Sequence, residues 1–126
     1  MKKSISIHNA PAPVGSYSQA VLSNNTLYLS GQIAINPFDG EFQTESIETE
    51  THQVMKNIIA LLESAEMSVS NLVKCSIFLE SMDDFSVVDS IYSSYFETGN
   101  FPARETVEVS KLPKGVRIEI SGIAVK

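Results

Sequence analysis

The chain has 126 residues, and its 9 Lys and Arg against 15 Asp and Glu give a formal net charge of -6 without any basic cluster that would bind a nucleic acid. This length fits one domain, residues 1–126, with a sizeable core. A single cysteine, Cys75, excludes an internal disulfide. With no CxxC or HExxH metal motif and no apolar run of membrane-spanning length, the sequence predicts a cytoplasmic protein.

The first third of the chain predicts strands. Residues 4–8, 16–22 and 26–33 have strand character, and the turn-forming Ser-Asn-Asn at 23–25 joins the last two into a hairpin. The Pro and Gly at 36–40 then indicate a loop.

Two amphipathic helices follow. Apolar residues recur at three- and four-residue steps over 47–65, with Ser46 as the expected N-cap. The acidic run at the start of this helix is interpreted as a solvated face; it consists of Glu45, Glu48 and Glu50. A second helix is expected to open at Asp83 or Asp84 and to end at Gly99.

A short strand at 73–79 separates the helices, and two further strands follow them. This order predicts an α+β layer, with two helices on one face of a mixed sheet. Linked βαβ-like crossovers would connect it. One sheet face is left uncovered, and Leu29, Ile33 and Ile77 suggest that part of it is apolar, which implies self-association.

The last two strands carry the most informative pattern. Residues 102–109 and 116–121 both alternate apolar and polar side chains, and the loop at 111–115 between them predicts a β-hairpin. Alternation would put five side chains on one polar face: Arg104, Thr106, Glu108, Glu119 and Ser121. Arg104 and Glu119 are then either a solvated cross-strand ion pair or a site.

Other candidates are weaker when taken singly. Tyr17 lies among small hydroxyl residues, where its ring either packs or does chemistry. Ser30 and Gly31 end a strand, so Gly31 either admits a ligand to the backbone or forms a bulge. His8 and His52 have no partners at catalytic spacing and are interpreted as surface residues.

Four segments together resemble the RidA/YjgF family, in order and spacing over essentially the whole chain. They are APAPVGSYSQAV at 10–21, LSGQI at 29–33, the stretch from Met82 to Tyr92, and PAR at 102–104 followed by IEI at 118–120.

The resemblance implies a chorismate-mutase-like α+β domain in a homotrimer with clefts between subunits. It also implies a cofactor-independent activity, the hydrolysis of 2-iminobutanoate and 2-iminopropanoate to 2-oxo acids and ammonia. Arg104 would hold the substrate carboxylate and Glu119 would handle the attacking water. Tyr17, also counted with the catalytic residues, would line the same pocket as Ser30 and Gly31.

The chain departs from the family pattern beside this pocket. Asp89 stands where asparagine is usual, Glu105 where serine or threonine is usual, and Thr106 where cysteine or threonine occurs. Asp89 and Thr106 are included in the predicted substrate pocket. If Glu105 or Asp89 reaches Arg104, it would partly neutralise the guanidinium.

Two alternative functions stay open. One is a regulatory trimer that binds 2-oxo acids without turnover. The other is an endoribonuclease or translation inhibitor, against which the acidic composition and the lack of a histidine pair argue.

Overall fold

The computed structural model describes residues 2–126. Its strands are β1 (Lys2–Ile5), β2 (Ala20–Ser23), β3 (Thr26–Gln32), β4 (Leu72–Leu79), β5 (Ala103–Glu108) and β6 (Ile118–Val125). Its helices are α1 (Ile47–Ser64) and α2 (Phe85–Ser93). The predicted α+β class is confirmed. Within the described residues, no helix is both long and apolar enough to cross a membrane.

The six strands form one mixed sheet in the order β1-β2-β3-β6-β4-β5. Only β4 and β5 pair in parallel, and α2 connects them as a βαβ unit. Helix α1 carries the chain from β3 to β4; both strands run antiparallel to β6, which lies between them. The predicted pair of linked crossovers is therefore confirmed.

The predicted hairpin of the last two strands is wrong, because β4 lies between β5 and β6. The connecting segment passes the end of β4, where the Val109 amide donates to the Leu79 carbonyl at 2.9 Å and the Glu80 amide donates to the Arg117 carbonyl at 3.0 Å. Alternation shows that a strand has two different faces, but it does not identify the partner strand.

The shared polar face of Arg104 and Glu119 is also wrong. Cys75 of β4 is in register with Arg104, whereas Phe78 is in register with Glu119. Residues in register point to the same side of a sheet, and successive residues alternate. Arg104 therefore lies on the side of the buried Cys75, which the helices cover, and Glu119 lies on the opposite side.

The same register separates the rest of the predicted polar face. Thr106 and Glu108 pair with Ile77 and Leu79 on the helix side, whereas Ser121 pairs with Ser76 on the other side.

The uncovered side of the sheet carries different apolar residues from those predicted. Leu29 and Ile77 are buried in the core on the helix side, and Ile33 follows the end of β3. The register assigns other apolar residues to the uncovered side, among them Tyr28, Phe78, Val107 and Ile123. Tyr28 and Val107 are the most exposed of these four.

Helix α1 begins as predicted, with the Ser46 hydroxyl accepting a hydrogen bond from the Thr49 amide at 3.1 Å. Helix α2 is shorter than predicted and ends at Ser93, before Gly99. Ser93 and Ser94 donate their hydroxyls back to backbone carbonyls at 3.0 and 2.5 Å. Such bonds compete with helix continuation, which accounts for the early end.

Candidate functional site

A cavity of about 390 Å³ lies where the segment before β2 meets β3 and β6. Its lining includes four of the residues singled out from the sequence: Tyr17, Ser30, Gly31 and Glu119. The exposed Lys114, in the 3-10 turn before β6, also lines it. The structure therefore brings Glu119 together with Tyr17, Ser30 and Gly31.

Glu119 lies directly against Gly31. A Cβ atom added to Gly31 would stand 2.7 Å from Glu119 Cδ and 3.0 Å from its Cγ, closer than side chains pack. The pairing of β3 with β6 is irregular between Leu29 and Gln32, and Gly31 lies within this irregular interval. The irregular pairing agrees with the bulge interpretation of Gly31, and the group that lies against this glycine is the Glu119 side chain. Access of a ligand to the Gly31 backbone stays a prediction.

The electrostatics of Glu119 follow from its half-buried position. Burial raises the pKa of its carboxyl group. Among the described residues, no ion pair or hydrogen bond to this carboxylate is recorded. A carboxylate that is partly desolvated and unpaired in a cavity is a candidate general base.

Ser30 and Tyr17 are held by local hydrogen bonds. The Ser30 hydroxyl donates to the Ser18 carbonyl at 2.6 Å, and the Val14 amide donates to the Tyr17 hydroxyl at 3.3 Å. The Tyr17 side chain is 49% exposed, so its ring is only partly packed. Tyr17 precedes β2, which begins at Ala20 rather than at the predicted residue 16.

Gln19 supports this cavity, and the sequence reasoning did not single it out. Its buried amide nitrogen donates to the carbonyls of Ile7, Ala10 and Pro11, each at 3.0 Å, and its amide oxygen accepts from the Ile7 amide at 2.7 Å. These bonds hold the segment that forms one wall. In the sequence, the available signal is the position of this amide side chain inside the predicted strand 16–22. Its neighbour Ala20 is buried in the structure.

Glu50 is a second supporting residue, and its interpretation as part of a solvated face is wrong. It is fully buried, and its carboxylate accepts from the Arg117 amide at 2.7 Å, the Arg117 Nε at 2.8 Å and the Ile118 amide at 3.3 Å. Helix α1 thereby fixes the start of β6, one residue before Glu119.

Arg104 lies in a separate cleft of about 320 Å³, between β5 and α2. Its Nη1 bonds Asp89 Oδ1 at 2.6 Å. Its guanidinium carbon is 5.3 Å from the Tyr92 ring centroid and 5.6 Å from that of Phe85. Two aromatic rings and one carboxylate thus orient the guanidinium.

Two neighbours of Arg104 on the helix side have no evident chemical role. Burial raises the pKa of the Cys75 thiol, as expected of an inert, buried cysteine. The Thr106 hydroxyl is buried, with no hydrogen-bond partner recorded among the described residues.

Glu105 does not reach Arg104, because it points to the opposite side of the sheet. Its carboxylate accepts from the Ser76 hydroxyl and pairs with Lys74 Nζ at 3.1 Å. The hydrogen bond from Ser76, with help from Lys74, lowers the pKa of Glu105. Of the two acids expected to be able to neutralise Arg104, only Asp89 contacts it.

One chain does not bring Arg104 and Glu119 together. Strand β4 lies between the two strands that carry them. Their partners on β4, Cys75 and Phe78, are three residues apart. Strand spacing and rise then put their Cα atoms roughly 14 Å apart, with the side chains on opposite faces.

A sequence model of the family described as "Endoribonuclease L-PSP" matches residues 7–126. The chain belongs to this family. A 2-iminobutanoate/2-iminopropanoate deaminase of Rattus norvegicus is 44% identical to this L-PSP family member over 126 residues, which is 100% of the chain and 91% of the relative. These findings confirm the predicted family.

Solved structures of the L-PSP family agree with the fold. A Rid family protein from Yersinia pestis has a TM-score of 0.96 at 47% identity, covering 100% of both chains. The YjgF gene product of E. coli has a TM-score of 0.93 at 40% identity, covering 98% of both. The predicted RidA/YjgF-type fold is confirmed.

Proposed function

We propose that this L-PSP family member is a hydrolase that deaminates reactive 2-imino acids to 2-oxo acids and ammonia. The observation that carries the proposal is the half-buried Glu119 carboxylate, whose pKa is raised, set against Gly31 in a cavity shared with Tyr17 and Ser30. The name of the rat relative supports the same reaction.

The chemistry needs one water and one base. Glu119 accepts one proton from the water that adds to the imine carbon and returns it to the nitrogen, which gives a carbinolamine. Glu119 then takes the proton of the new hydroxyl group and passes it to the nitrogen, so that ammonia leaves as the carbonyl forms and both water protons end on nitrogen. Because its pKa is raised, Glu119 is suited both to take up and to return a proton. The Tyr17 hydroxyl is a second group able to donate a hydrogen bond in this cavity.

Arg104 is proposed as the clamp for the substrate carboxylate. A planar guanidinium presents paired N–H donors that match the two oxygens of a carboxylate. Stacking against Tyr92 and Phe85 limits the directions in which these donors can point. The open cleft beside the guanidinium leaves room for a small 2-imino acid.

The two halves of this site are proposed to come from different subunits. Arg104 and Glu119 lie on opposite sides of the sheet in one chain, so a shared substrate requires Glu119 of one chain to meet Arg104 of a neighbour. The exposed apolar residues of the uncovered sheet face, such as Tyr28 and Val107, favour association with further copies. A homotrimer with three equivalent clefts is the assembly that we propose.

The direct test is to generate 2-iminopropanoate in situ and to follow its decay with and without the protein. We expect acceleration over buffer by the wild type, and a loss of about 100-fold or more in Arg104→Ala and in Glu119→Gln. No acceleration by the folded wild type, or full activity in Arg104→Ala, would refute the proposal.

A second candidate is a regulatory trimer that binds 2-oxo acids without turnover. The contact of Asp89 with Arg104 favours it over the enzyme, because a guanidinium that already pairs with a carboxylate holds a bound carboxylate less firmly in the orientation that turnover requires. Calorimetric binding of 2-oxobutanoate together with an absent deaminase rate would select this candidate over the enzyme.

A further inference from the structure

The cleft around Arg104 contains a second charge of its own. Asp89 Oδ1 bonds Arg104 Nη1 at 2.6 Å, and the Asp89 side chain is 43% exposed against 25% for Arg104. Only Oδ1 takes part in a recorded hydrogen bond, and Asp89 lines the same cleft as Arg104. A molecule in this cleft therefore meets a cation and a half-exposed carboxylate side by side.

Among the described residues of one chain, no other charged group contacts Arg104 or Asp89. In the assembly proposed above, the Glu119 carboxylate of a neighbouring chain faces the same substrate, and it is the same in wild type and in Asp89→Asn. The nearest charged residues along the strands, Lys74 and Glu105, pair with each other on the opposite side of the sheet. Tyr92, Phe101 and Pro102 form apolar walls of the cleft, and Ser93 also lines it. Charges held in such a partly apolar cleft interact more strongly than they would in water.

We propose that Asp89 makes the site select 2-imino acids by charge. Asp89 disfavours substrates whose side chain is negatively charged and favours those whose side chain is cationic. With a cationic side chain, the substrate carboxylate pairs with Arg104 and the substrate cation pairs with Asp89. The proposal rests on the proposed function and specifies its substrate class.

Arg104 itself would not give this selection. An arginine alone would attract a dicarboxylic imino acid at least as well as a neutral one. With Asp89 half-exposed beside it, each further negative charge on the substrate approaches a like charge, and a positive charge gains a partner.

The test compares wild type and Asp89→Asn on three imines, made by amino-acid oxidase from leucine, glutamate and arginine. The decay of each imine is followed by trapping with semicarbazide. The expected ratio of kcat/KM, variant over wild type, is about two- to fivefold for the leucine product. It is larger for the glutamate product, and equal to or below one for the arginine product.

Asp83→Asn is the matched control, because it removes the same charge from an exposed turn before α2 and should leave all three ratios near one. If Asp89 only positioned Arg104, Asp89→Asn would change the three substrates alike, and that result would overturn the inference while leaving the deaminase intact. If neither wild type nor Asp89→Asn accelerates any imine, the proposed function itself fails, and the inference fails with it.

Discussion

The position of the Glu119 carboxyl group depends on residue 31 being glycine. Residue 31 is a glycine, and only a glycine, which has no Cβ, lets the Glu119 carboxyl group lie directly against the β3 backbone at this position. That position shields the carboxyl group from water and raises its pKa. Raising the pKa makes the group a better proton acceptor, provided that it remains ionised at the working pH.

The raised pKa predicts the direction of the pH dependence. Glu119 must be ionised to accept a proton from water, so the enzyme-dependent rate should fall as pH decreases through its pKa, which burial raises. A profile of kcat/KM with the buffer rate subtracted measures this. A flat profile down to the ordinary carboxyl range would contradict the role of Glu119.

The same shift predicts a stability effect. Because the folded pKa is raised, the charged form of Glu119 opposes folding, and this cost appears as pH rises through the folded pKa. We therefore expect Glu119→Gln to be as stable as the wild type or more stable at pH 7, although we expect it to lose activity. Thermal unfolding at pH 4 and pH 7 checks this, and a variant that is less stable than the wild type only at pH 7 would contradict it.

Gly31→Ala should separate activity from stability. The added methyl group collides with the Glu119 side chain, which can turn away at a cost of about 1 kcal/mol or less, but which then leaves its proposed catalytic position. We expect at least tenfold lower kcat with near-normal unfolding. Gly15→Ala is the matched control, because its added Cβ meets only Tyr17 at an ordinary 3.7 Å. Equal activities of the two variants would contradict this account.

At the scale of elements, α1 and β6 are coupled through Glu50. The buried carboxylate accepts three hydrogen bonds from Arg117 and Ile118, and Arg117 Nη2 also donates to the Thr44 carbonyl at 2.8 Å. These contacts tie the start of α1 to the start of β6. The strand that carries Glu119 is thereby fixed in position.

Glu50→Gln tests this coupling. A neutral amide keeps one acceptor oxygen but loses the charge that faces Arg117, so we expect a loss of about 1 to 3 kcal/mol in the free energy of unfolding. Glu48→Gln, on the exposed face of the same helical turn, should change it by less than about 0.5 kcal/mol. Urea unfolding compares the two, and equal effects would show that Glu50 has no special part.

Features that depend on neighbours in sequence are predictable from local pattern, whereas features that depend on distant residues are not. Ser46 as N-cap, the α1 periodicity and the strand at β4 depend on neighbours in sequence, and they were predicted correctly. The pairing of β5 with β4 instead of β6 depends on where α2 places the chain. The buried Glu50 likewise depends on Arg117, 67 residues away, so its periodic position among other acids was misleading.

At the scale of the whole molecule, the candidate site is divided. The Glu119 cavity and the Arg104 cleft lie on opposite sides of one sheet. Family resemblance indicated both halves from the sequence, whereas strand alternation placed them wrongly on one face. Alternation describes one chain at a time, so it cannot reveal a site whose halves, as we propose, meet between chains.

Subunit complementation tests the central claim, that each site combines Arg104 of one chain with Glu119 of another. Arg104→Ala and Glu119→Gln, each inactive alone, are co-assembled in equal amounts under two affinity tags, and the doubly tagged oligomers are assayed. A site is intact only where a chain that retains Arg104 meets a chain that retains Glu119, and random assortment around a ring gives this at one interface in four. We therefore expect about a quarter of wild-type activity before selection for mixed oligomers. Selected mixed oligomers should have more. Mixed oligomers without any activity would contradict the claim.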